Sequence, residues 1–216
     1  MICHDIKKPF SLIRLMFNYL KSGRLNQEKV EKFSSQIEES MRYVNELLAN
    51  LMIAGKEQTN QLEPFDLKKV VNKAWENSVV QQSRPFSLEL LMNHHGQIFA
   101  DKLRVERVFM NLFSNAMEAM DRPFKKIWVD TRPIVINERQ YIEVKLGNEG
   151  SYIPEEDHSK LFESYYTRGK ENGTGLGLAI VHQAVTSHGG QIYCRSEPNI
   201  GTEFVFQLPM IKTGKM

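Results

Sequence analysis

Cysteine is scarce in this sequence of 216 residues, which contains only Cys3 and Cys194, far apart in the chain. Two thiols can build neither a disulfide framework nor a four-cysteine zinc site. The sequence also lacks a run of ~18 to 20 uncharged apolar residues, which a bilayer helix requires, and it lacks the long apolar core of a secretion signal. These absences predict a protein that sits in water, in a reducing cytosol.

A strong net charge is missing too, because 28 Lys and Arg against 26 Asp and Glu leave +2. So small a charge does not favour nucleic acid or an acidic membrane surface as a partner. With 41% hydrophobic and 25% charged residues, the bulk of the chain is not disordered. At ~150 residues per domain, the length allows one large domain or two modest ones.

The first part of the chain repeats apolar residues at helical spacing. Steps of three and four residues between Ile6 and Leu20 predict an amphipathic helix that ends near Gly23, and a similar stripe from Val30 to Leu51 predicts a longer second helix. A hairpin of ~55 residues buries too little apolar surface by itself. We therefore expect a homodimer, in which two hairpins form a four-helix bundle.

From Gln58 to Pro64 the helical period is lost, and we interpret this stretch as a linker with a domain boundary near residue 60. The predicted domains are residues 1–59 and 60–216. In the second domain, periodicity predicts helices over 66–77, 101–120 and 176–187, and strands over 86–92, 127–131, 134–136, 141–146, 191–195 and 203–208. Together they predict an α/β sandwich with one helical layer on a mixed sheet.

A glycine-rich segment leads directly into the last predicted helix, and it consists of Gly173, Thr174, Gly175, Leu176 and Gly177. Alternate glycines let the backbone approach a bound group and direct N–H groups at it, at the positive end of the helix dipole. That chemistry suits a phosphate. The alternative is a glycine-rich turn that merely caps a helix.

Two asparagines, Asn111 and Asn115, lie on one face of the predicted helix over 101–120 because they are four residues apart. Mg²⁺ prefers oxygen ligands and keeps several waters, so one amide oxygen together with nucleotide phosphates is a sufficient site. Asn115 is the candidate ligand. Alternatively, both amides are hydrogen-bonded within the fold.

A turn after a predicted strand contains Asn148 and Gly150. The asparagine side chain could contact a ligand's edge while the glycine lets the backbone come close; alternatively, the segment is simply a turn. His158, His182 and His188 have no carboxylate or cysteine at metal-ligand spacing, and we predict that they are structural or exposed.

Near the N-terminus, His4 is followed by Asp5 and, one turn later, by Pro9. A neutral imidazole is a nucleophile at pH 7, and a neighbouring carboxylate that accepts the Nδ1 proton enriches Nε2. The ordinary alternative is a solvated histidine near a chain end.

In this order, the motifs resemble the transmitter of a sensor histidine kinase. The phosphoacceptor box is similar to residues 4–10, the N box to 101–115, the first glycine box to 148–154, the aromatic box to 161–167 and the second glycine box to 173–181. The resemblance implies an α+β architecture, in which a helical hairpin forming a dimeric four-helix bundle is followed by a Bergerat-type α/β sandwich, as in gyrase and MutL ATPases.

The resemblance also implies the ligands, ATP and Mg²⁺. Asn115 would hold Mg²⁺ beside Asn111, Asn148 and Gly150 would meet adenine, and the phosphates would be flanked by Gly173, Thr174, Gly175, Leu176 and Gly177. Residues 167–172 would form a lid, seated by Phe162 and Tyr166 unless these rings simply pack in the core. Arg168 or Lys170 could reach the γ-phosphate, although a solvated loop charge is the alternative.

The implied activity is ATP-dependent autophosphorylation. His4 would attack the γ-phosphate, Asp5 would orient or take up the Nδ1 proton, and the phosphoryl group would pass to an aspartate of a response regulator receiver domain that docks on the helical stem. The chain would be cytoplasmic, as part of a longer sensor protein.

Three positions depart from the family pattern. Asn148 replaces an aspartate that accepts a hydrogen bond from adenine, Tyr152 replaces the second glycine of its box, and Lys8 replaces the Thr or Asn associated with phosphatase activity. These departures define the alternative function, a non-catalytic phosphotransfer or scaffold protein with a degenerate ATP site.

Overall fold

The computed structural model describes residues 61–80, 82, 85–120, 126–167 and 175–210, with separate positions between Arg14 and Ile37. The chain divides into two compact units, an N-terminal one and an α/β one. Six predicted site residues lie outside the described residues: His4, Asp5, Arg168, Lys170, Gly173 and Thr174.

In the N-terminal unit, the described residues between Arg14 and Ile37 are helical. The rings of Tyr19 and Phe33, which belong to the first and second predicted helices, lie with their centroids 5.6 Å apart at an angle of 42°. This contact agrees with two helices packed against each other. The pairing of two such hairpins into a four-helix bundle stays a prediction.

The α/β unit contains seven strands and four helices among its described residues. They are β1 (Leu62–Phe65), α1 (Leu67–Val79), β2 (Ser87–Met92), β3 (Ile98–Asp101), α2 (Lys102–Ala119), β4 (Lys126–Ile136), β5 (Arg139–Glu149), α3 (Glu155–His158), α4 (Gly177–Ser187), β6 (Ile192–Glu197) and β7 (Gly201–Pro209). The main sheet has the order β2-β4-β5-β7-β6, and β1 pairs with β3 separately. Because β2 and β4 are parallel and the other pairs are antiparallel, the predicted mixed sheet is confirmed.

Both long helices after a strand begin at an aspartate that caps them. The Oδ1 atom of Asp66 accepts a 2.9 Å hydrogen bond from the N–H of Lys68, and Oδ1 of Asp101 accepts one of 3.1 Å from the N–H of Arg104. Each bond satisfies a main-chain donor that the first turn leaves unpaired. The sequence predicted that the two helices begin at Asp66 and Asp101. In the structure these residues are the caps, and each helix begins one residue later.

Two predicted boundaries are wrong. The interpreted linker ends before Leu62, where strand β1 begins and pairs antiparallel with β3. The strands predicted over 127–131 and 134–136 form a single strand, β4, through Pro133. Because β2 pairs with β4 only from Lys126 to Thr131, Pro133 lies at an edge, where a missing N–H is tolerated.

One hydrophobic core lies between the helices and one face of the sheet. Phe109 and Phe113 of α2 are fully buried, and the Phe109 ring meets Phe206 of β7 edge-on at 5.7 Å. Trp75 of α1 meets Phe113 edge-on at 5.2 Å. Rings of this size supply much of the apolar surface that stabilises a domain.

Across β4 and β5, Trp128 lies over Gly147, its register partner. A Cβ atom placed on Gly147 would lie 2.3 Å from the indole ring. The absence of a side chain on Gly147 therefore makes room for the ring.

Within the described ranges, no helix is both long and apolar enough to span a bilayer.

Candidate functional site

Asn111 of α2 lies beside the first residue of α4. Its Nδ2 donates a 3.0 Å hydrogen bond to the carbonyl oxygen of Arg107, and a Cβ placed on Gly177 would lie 3.2 Å from its Oδ1. The absence of a side chain on Gly177 lets α4 begin this close to the amide. The structure therefore brings together one residue of the N box and one of the second glycine box.

Asn115 lies one turn further along α2 and is partly buried. The spacing of four residues places it on the same face as Asn111. Among the described residues, no group of three or more His, Cys, Asp or Glu is placed to hold a metal ion. The role of Asn115 as a Mg²⁺ ligand stays a prediction.

The start of α4 has the character of an anion site. Leu176, which precedes the helix, has an apolar side chain that cannot cap it, and no acidic residue lies in the first turn. The first turn of a helix directs main-chain N–H groups outward at the positive end of the helix dipole. Gly175, which precedes it, has φ of +65°, a conformation that favours glycine. These features fit phosphate groups.

Tyr165, from the segment resembling the aromatic box, contacts Gly175 through the main chain. The N–H of Tyr165 donates a 2.9 Å hydrogen bond to the Gly175 carbonyl oxygen. The two residues stand before and after the predicted lid, part of which lies outside the described residues. This bond holds together the residues from which that segment leaves and to which it returns.

Asn148 is buried at the end of β5, with an exposed fraction of 3%. Its Nδ2 donates hydrogen bonds of 2.9 Å to Ser151 Oγ and 3.2 Å to the Glu149 carbonyl oxygen. Since a carbonyl can only accept, the contact with Glu149 identifies the nitrogen of the amide. The Oδ1 atom is thus the one suited to accept a hydrogen bond from a bound base.

The turn around Asn148 is held by hydroxyl groups that sequence reasoning missed. Ser151 Oγ donates to Thr202 Oγ1 at 2.8 Å, and Thr202 Oγ1 also lies 2.9 Å from Ser196 Oγ. Ser196 in turn accepts a 2.9 Å hydrogen bond from the N–H of Ile153. Strand alternation could have placed Ser196 and Thr202 on one face, but their contact with the turn has no signal in the sequence.

Gly150 and Tyr152 have different environments in this turn. Gly150 has φ of +75°, and its N–H donates a 3.3 Å hydrogen bond to the Ile200 carbonyl oxygen. Tyr152, which stands where the resemblance expects a second glycine, is 51% exposed. The conformation favours glycine at position 150, and the Tyr152 ring lies at the surface.

Phe162 and Tyr166 pack against the core. The Phe162 ring meets Phe204 edge-on at 6.4 Å and lies 5.6 Å from the His182 ring, at an angle of 34°. In this structure the two rings therefore pack against the core, which is the alternative to a role in seating the lid.

His188, predicted to be structural or exposed, is buried between α2 and α4. Its Nε2 accepts a 2.8 Å hydrogen bond from the N–H of Asp101, and its Nδ1 donates one of 2.7 Å to the Ala184 carbonyl oxygen. These partners require the neutral tautomer protonated at Nδ1. Burial lowers the pKa of His188, outweighing the opposing effects of the Ala184 hydrogen bond and of Asp101.

The comparison with protein families matches residues 100–212 to the histidine kinase-, DNA gyrase B-, and HSP90-like ATPases. The matched region contains the N box, both glycine boxes and His188.

Curated relatives are similar over nearly the whole chain. The adaptive-response sensory kinase SasA of Crocosphaera subtropica is 25% identical over 98% of this chain and 58% of its own length. Sporulation kinase A of Bacillus subtilis is 26% identical over 96% of this chain and 33% of its own length. The chain thus spans less than two thirds of either relative.

Among solved structures, histidine kinase ThkA in complex with the response regulator protein TrrA aligns over 99% of this chain and 61% of that chain. The TM-score is 0.72 and the sequence identity is 23%, which together show a common fold.

Proposed function

The chain belongs to the family of histidine kinase-, DNA gyrase B-, and HSP90-like ATPases, and on that basis we propose that it is the kinase core of a two-component system. Its α/β unit has the Bergerat-type ATPase fold. In the proposed activity, ATP phosphorylates His4, and the phosphoryl group then passes to an aspartate of a response regulator receiver domain. The relatives are themselves named kinases, which favours this function over a non-catalytic scaffold.

One observation carries the proposal: α4 begins, with Gly177 as its first residue, against the Asn111 amide. An anion at the start of α4 would therefore lie close to the polar face of α2. A nucleoside triphosphate needs main-chain N–H donors for its phosphates, and its cation needs oxygen ligands such as those of amides. A glycine-rich turn that only caps a helix would not need an amide beside it.

The side chains also fit the adenine and the cation. The Oδ1 atom of Asn148 can accept a hydrogen bond from an exocyclic amino group, because both protons of its Nδ2 are used within the protein. Asn115 is the proposed Mg²⁺ ligand, beside Asn111. When bound, Mg²⁺ supplies charge neutralisation on the phosphates. Gly173, Thr174, Arg168 and Lys170 complete the proposed phosphate site.

In the proposed reaction, His4 Nε2 forms a bond to the γ-phosphorus while the bond from that phosphorus to the bridging oxygen of ADP breaks. The Nδ1 proton passes to Asp5, or is oriented by it. Such a transfer depends on alignment and charge neutralisation more than on covalent help from the protein. The solved complex of ThkA with TrrA supports a response regulator as the acceptor.

A second copy of the chain is the proposed partner of the N-terminal helices. Phe17 is 59% exposed and Val30 is 38% exposed in the single chain, and both belong to the predicted apolar stripes. Covering these side chains in a four-helix bundle would remove their apolar surface from water. We expect a dimer in light scattering at micromolar concentration. Ile37→Asp should weaken the dimer, because it places a charge in the apolar stripe of the second helix. A wild-type monomer would refute the proposal.

The activity is tested by incubating the chain with Mg²⁺ and γ-labelled ATP. Wild type should take up acid-labile label, and His4→Ala should take up none while still binding nucleotide. His95→Ala is the matched control, because His95 is exposed and lies in the α/β unit. It should be labelled like wild type. Label that persists in His4→Ala would show that another residue is the acceptor.

A further inference from the structure

We propose that His188 is a positioning residue for the nucleotide site. It lies at the end of α4 opposite to that site, and it sets the register of α4 against α2. The inference rests on the proposed ATP site, since it concerns how the Asn111 amide is placed relative to the start of α4. His188 itself need not touch the nucleotide.

The register depends on four residues, Asp101, Arg104, Ser187 and His188, which we call the helix clamp. Asp101 caps α2 with its carboxylate and donates its main-chain N–H to His188 Nε2 at 2.8 Å. Arg104 lies 3.4 Å from the Asp101 carboxylate and donates to Ser187 Oγ at 3.4 Å. The first residues of α2 are thus bound to the last residues of α4.

At the opposite end of α4, the contact between the helices is the close approach of Gly177 to Asn111. Since α4 rises ~1.5 Å per residue, Ser187 and Gly177 are separated by about 15 Å along the helix axis. The helices run antiparallel, so a shift of α4 along α2 at the clamp would displace Gly177 from Asn111 by the same distance.

Apolar packing alone defines this register weakly. The buried residues of α4 are Ile180, Val181, Ala184 and Val185, which contribute non-directional contacts. The hydrogen bonds of the clamp are directional, and each has a geometry that a shift along the axis would spoil. The clamp is therefore the part of the interface that specifies one register among several similar ones.

The electrostatics keep His188 in the form that the clamp requires. Of the charged groups around it, Asp101, which caps α2, favours the protonated ring and Arg104 of α2 opposes it, while burial favours the neutral ring most strongly. A protonated ring would direct a second N–H at the Asp101 N–H, so the clamp bond exists only for the neutral imidazole.

Two substitutions separate the roles of the two ring nitrogens. His188→Gln keeps an acceptor near the position of Nε2, and His188→Asn keeps a polar group only near the position of Nδ1. We expect calorimetry with Mg²⁺ and a non-hydrolysable ATP analogue to show affinity about tenfold weaker in His188→Asn and close to wild type in His188→Gln. Both are measured well below the unfolding temperature of each variant.

Thr186→Ala is the matched control in the same turn of α4. It removes hydrogen bonds from Thr186 Oγ1 to the carbonyl oxygens of His182 and Gln183 and leaves the helix clamp intact. Its affinity for the analogue should equal that of wild type, even if its thermal midpoint falls. A role limited to stability would lower the midpoint of His188→Asn without changing its affinity.

Should His188→Asn fail to fold, Ser187→Ala replaces it. This substitution removes the Arg104 contact and the 2.8 Å hydrogen bond that Ser187 Oγ donates to the Ala184 carbonyl oxygen, and it leaves both hydrogen bonds of His188 in place. It should weaken binding about threefold. Wild-type affinity in both His188→Asn and Ser187→Ala would overturn the positioning role, as would His188→Gln binding as weakly as His188→Asn. A wild-type chain that binds no analogue at millimolar concentration would instead overturn the proposed ATP site, and the positioning role with it.

Discussion

Tyr165 and Gly175 are joined by a main-chain hydrogen bond of 2.9 Å, and a Cβ atom on Gly175 would lie 2.4 Å from the Tyr165 carbonyl carbon. Gly175 also has φ of +65° and Tyr165 has φ of +70°, so both residues occupy the left-handed region. The segments resembling the aromatic box and the second glycine box therefore meet by main-chain contact, and only glycine fits this approach.

Gly175→Ala should lower the free energy of unfolding by about 1 to 3 kcal/mol, since it adds both backbone strain and a clash with main chain that cannot rotate away. Affinity for the ATP analogue should fall as well, because the residue precedes the start of α4. Chemical denaturation and calorimetry measure the two effects.

Gly96→Ala is the control for strain without a clash. Gly96 has φ of +103°, but a Cβ there would meet only Met210 Cε at 3.7 Å, an ordinary contact. The control should lose stability and keep its affinity for the analogue. Equal affinity in Gly175→Ala and wild type would contradict the importance of the contact.

Asn148→Asp should lower the free energy of unfolding by about 1 to 2 kcal/mol. A carboxylate oxygen would replace the Nδ2 that donates to the Glu149 carbonyl oxygen, so two acceptors would face each other in a buried place. Asn199→Asp, an identical change at an exposed turn, should have a smaller effect. An Asn148→Asp variant as stable as wild type would contradict the importance of the hydrogen bond to the Glu149 carbonyl oxygen.

The pH dependence of stability should reflect His188. Its pKa in the folded chain lies below the ordinary value of 6.5, so the unfolded chain takes up the proton first as the pH falls. The contribution of His188 to stability is therefore complete well above pH 6.5. It declines as the pH falls below 6.5, until the folded ring is also protonated. Burial lowers the pKa of His94 in the same direction.

Denaturant titrations at pH 7.5 and 5.5 check this expectation in wild type and in His188→Gln. The loss of stability between the two pH values should be smaller in the variant, which lacks the contribution of His188 and keeps that of His94. An identical loss in both chains would mean that His188 does not cause the pH dependence of stability.

Cys194 should be inert to alkylation in the folded chain. Burial raises the pKa of its thiol to about 12, so almost no thiolate is present at pH 8. In a Cys3→Ser variant, iodoacetamide at pH 8 should leave the native protein unmodified and label it fully in denaturant. Rapid native labelling would show that the core around β6 opens readily.

The long, strongly periodic elements were the ones that could be predicted. Helix α2 follows its apolar period within one residue at either end, because its buried face determines it. Strand β1 was missed because four residues that include Pro64 look like a linker in isolation. Its partner β3 lies more than thirty residues further along the chain, and pairing over that distance leaves no local pattern.

The candidate site shows the same division. Motifs that lie along the chain predicted Asn111, Asn148 and Gly177 as site residues, and their roles in binding stay predictions. His188 was predicted to be structural or exposed, but its hydrogen bond to Asp101 was not predicted, because the two residues are 87 positions apart and the burial of His188 depends on two helices packing together. Ser196 and Thr202 were missed for a similar reason, since a hydroxyl in a strand resembles any other until its neighbours are known.

The fit of Trp128 over Gly147 also bears on how this fold can change over generations. A side chain at position 147 would collide with the indole ring, whereas a smaller residue at position 128 would leave Gly147 free to vary. The order of substitution is therefore constrained, since position 128 has to shrink before position 147 can grow. We expect the two positions to covary among descendants of this sequence, with glycine at 147 wherever tryptophan persists at 128.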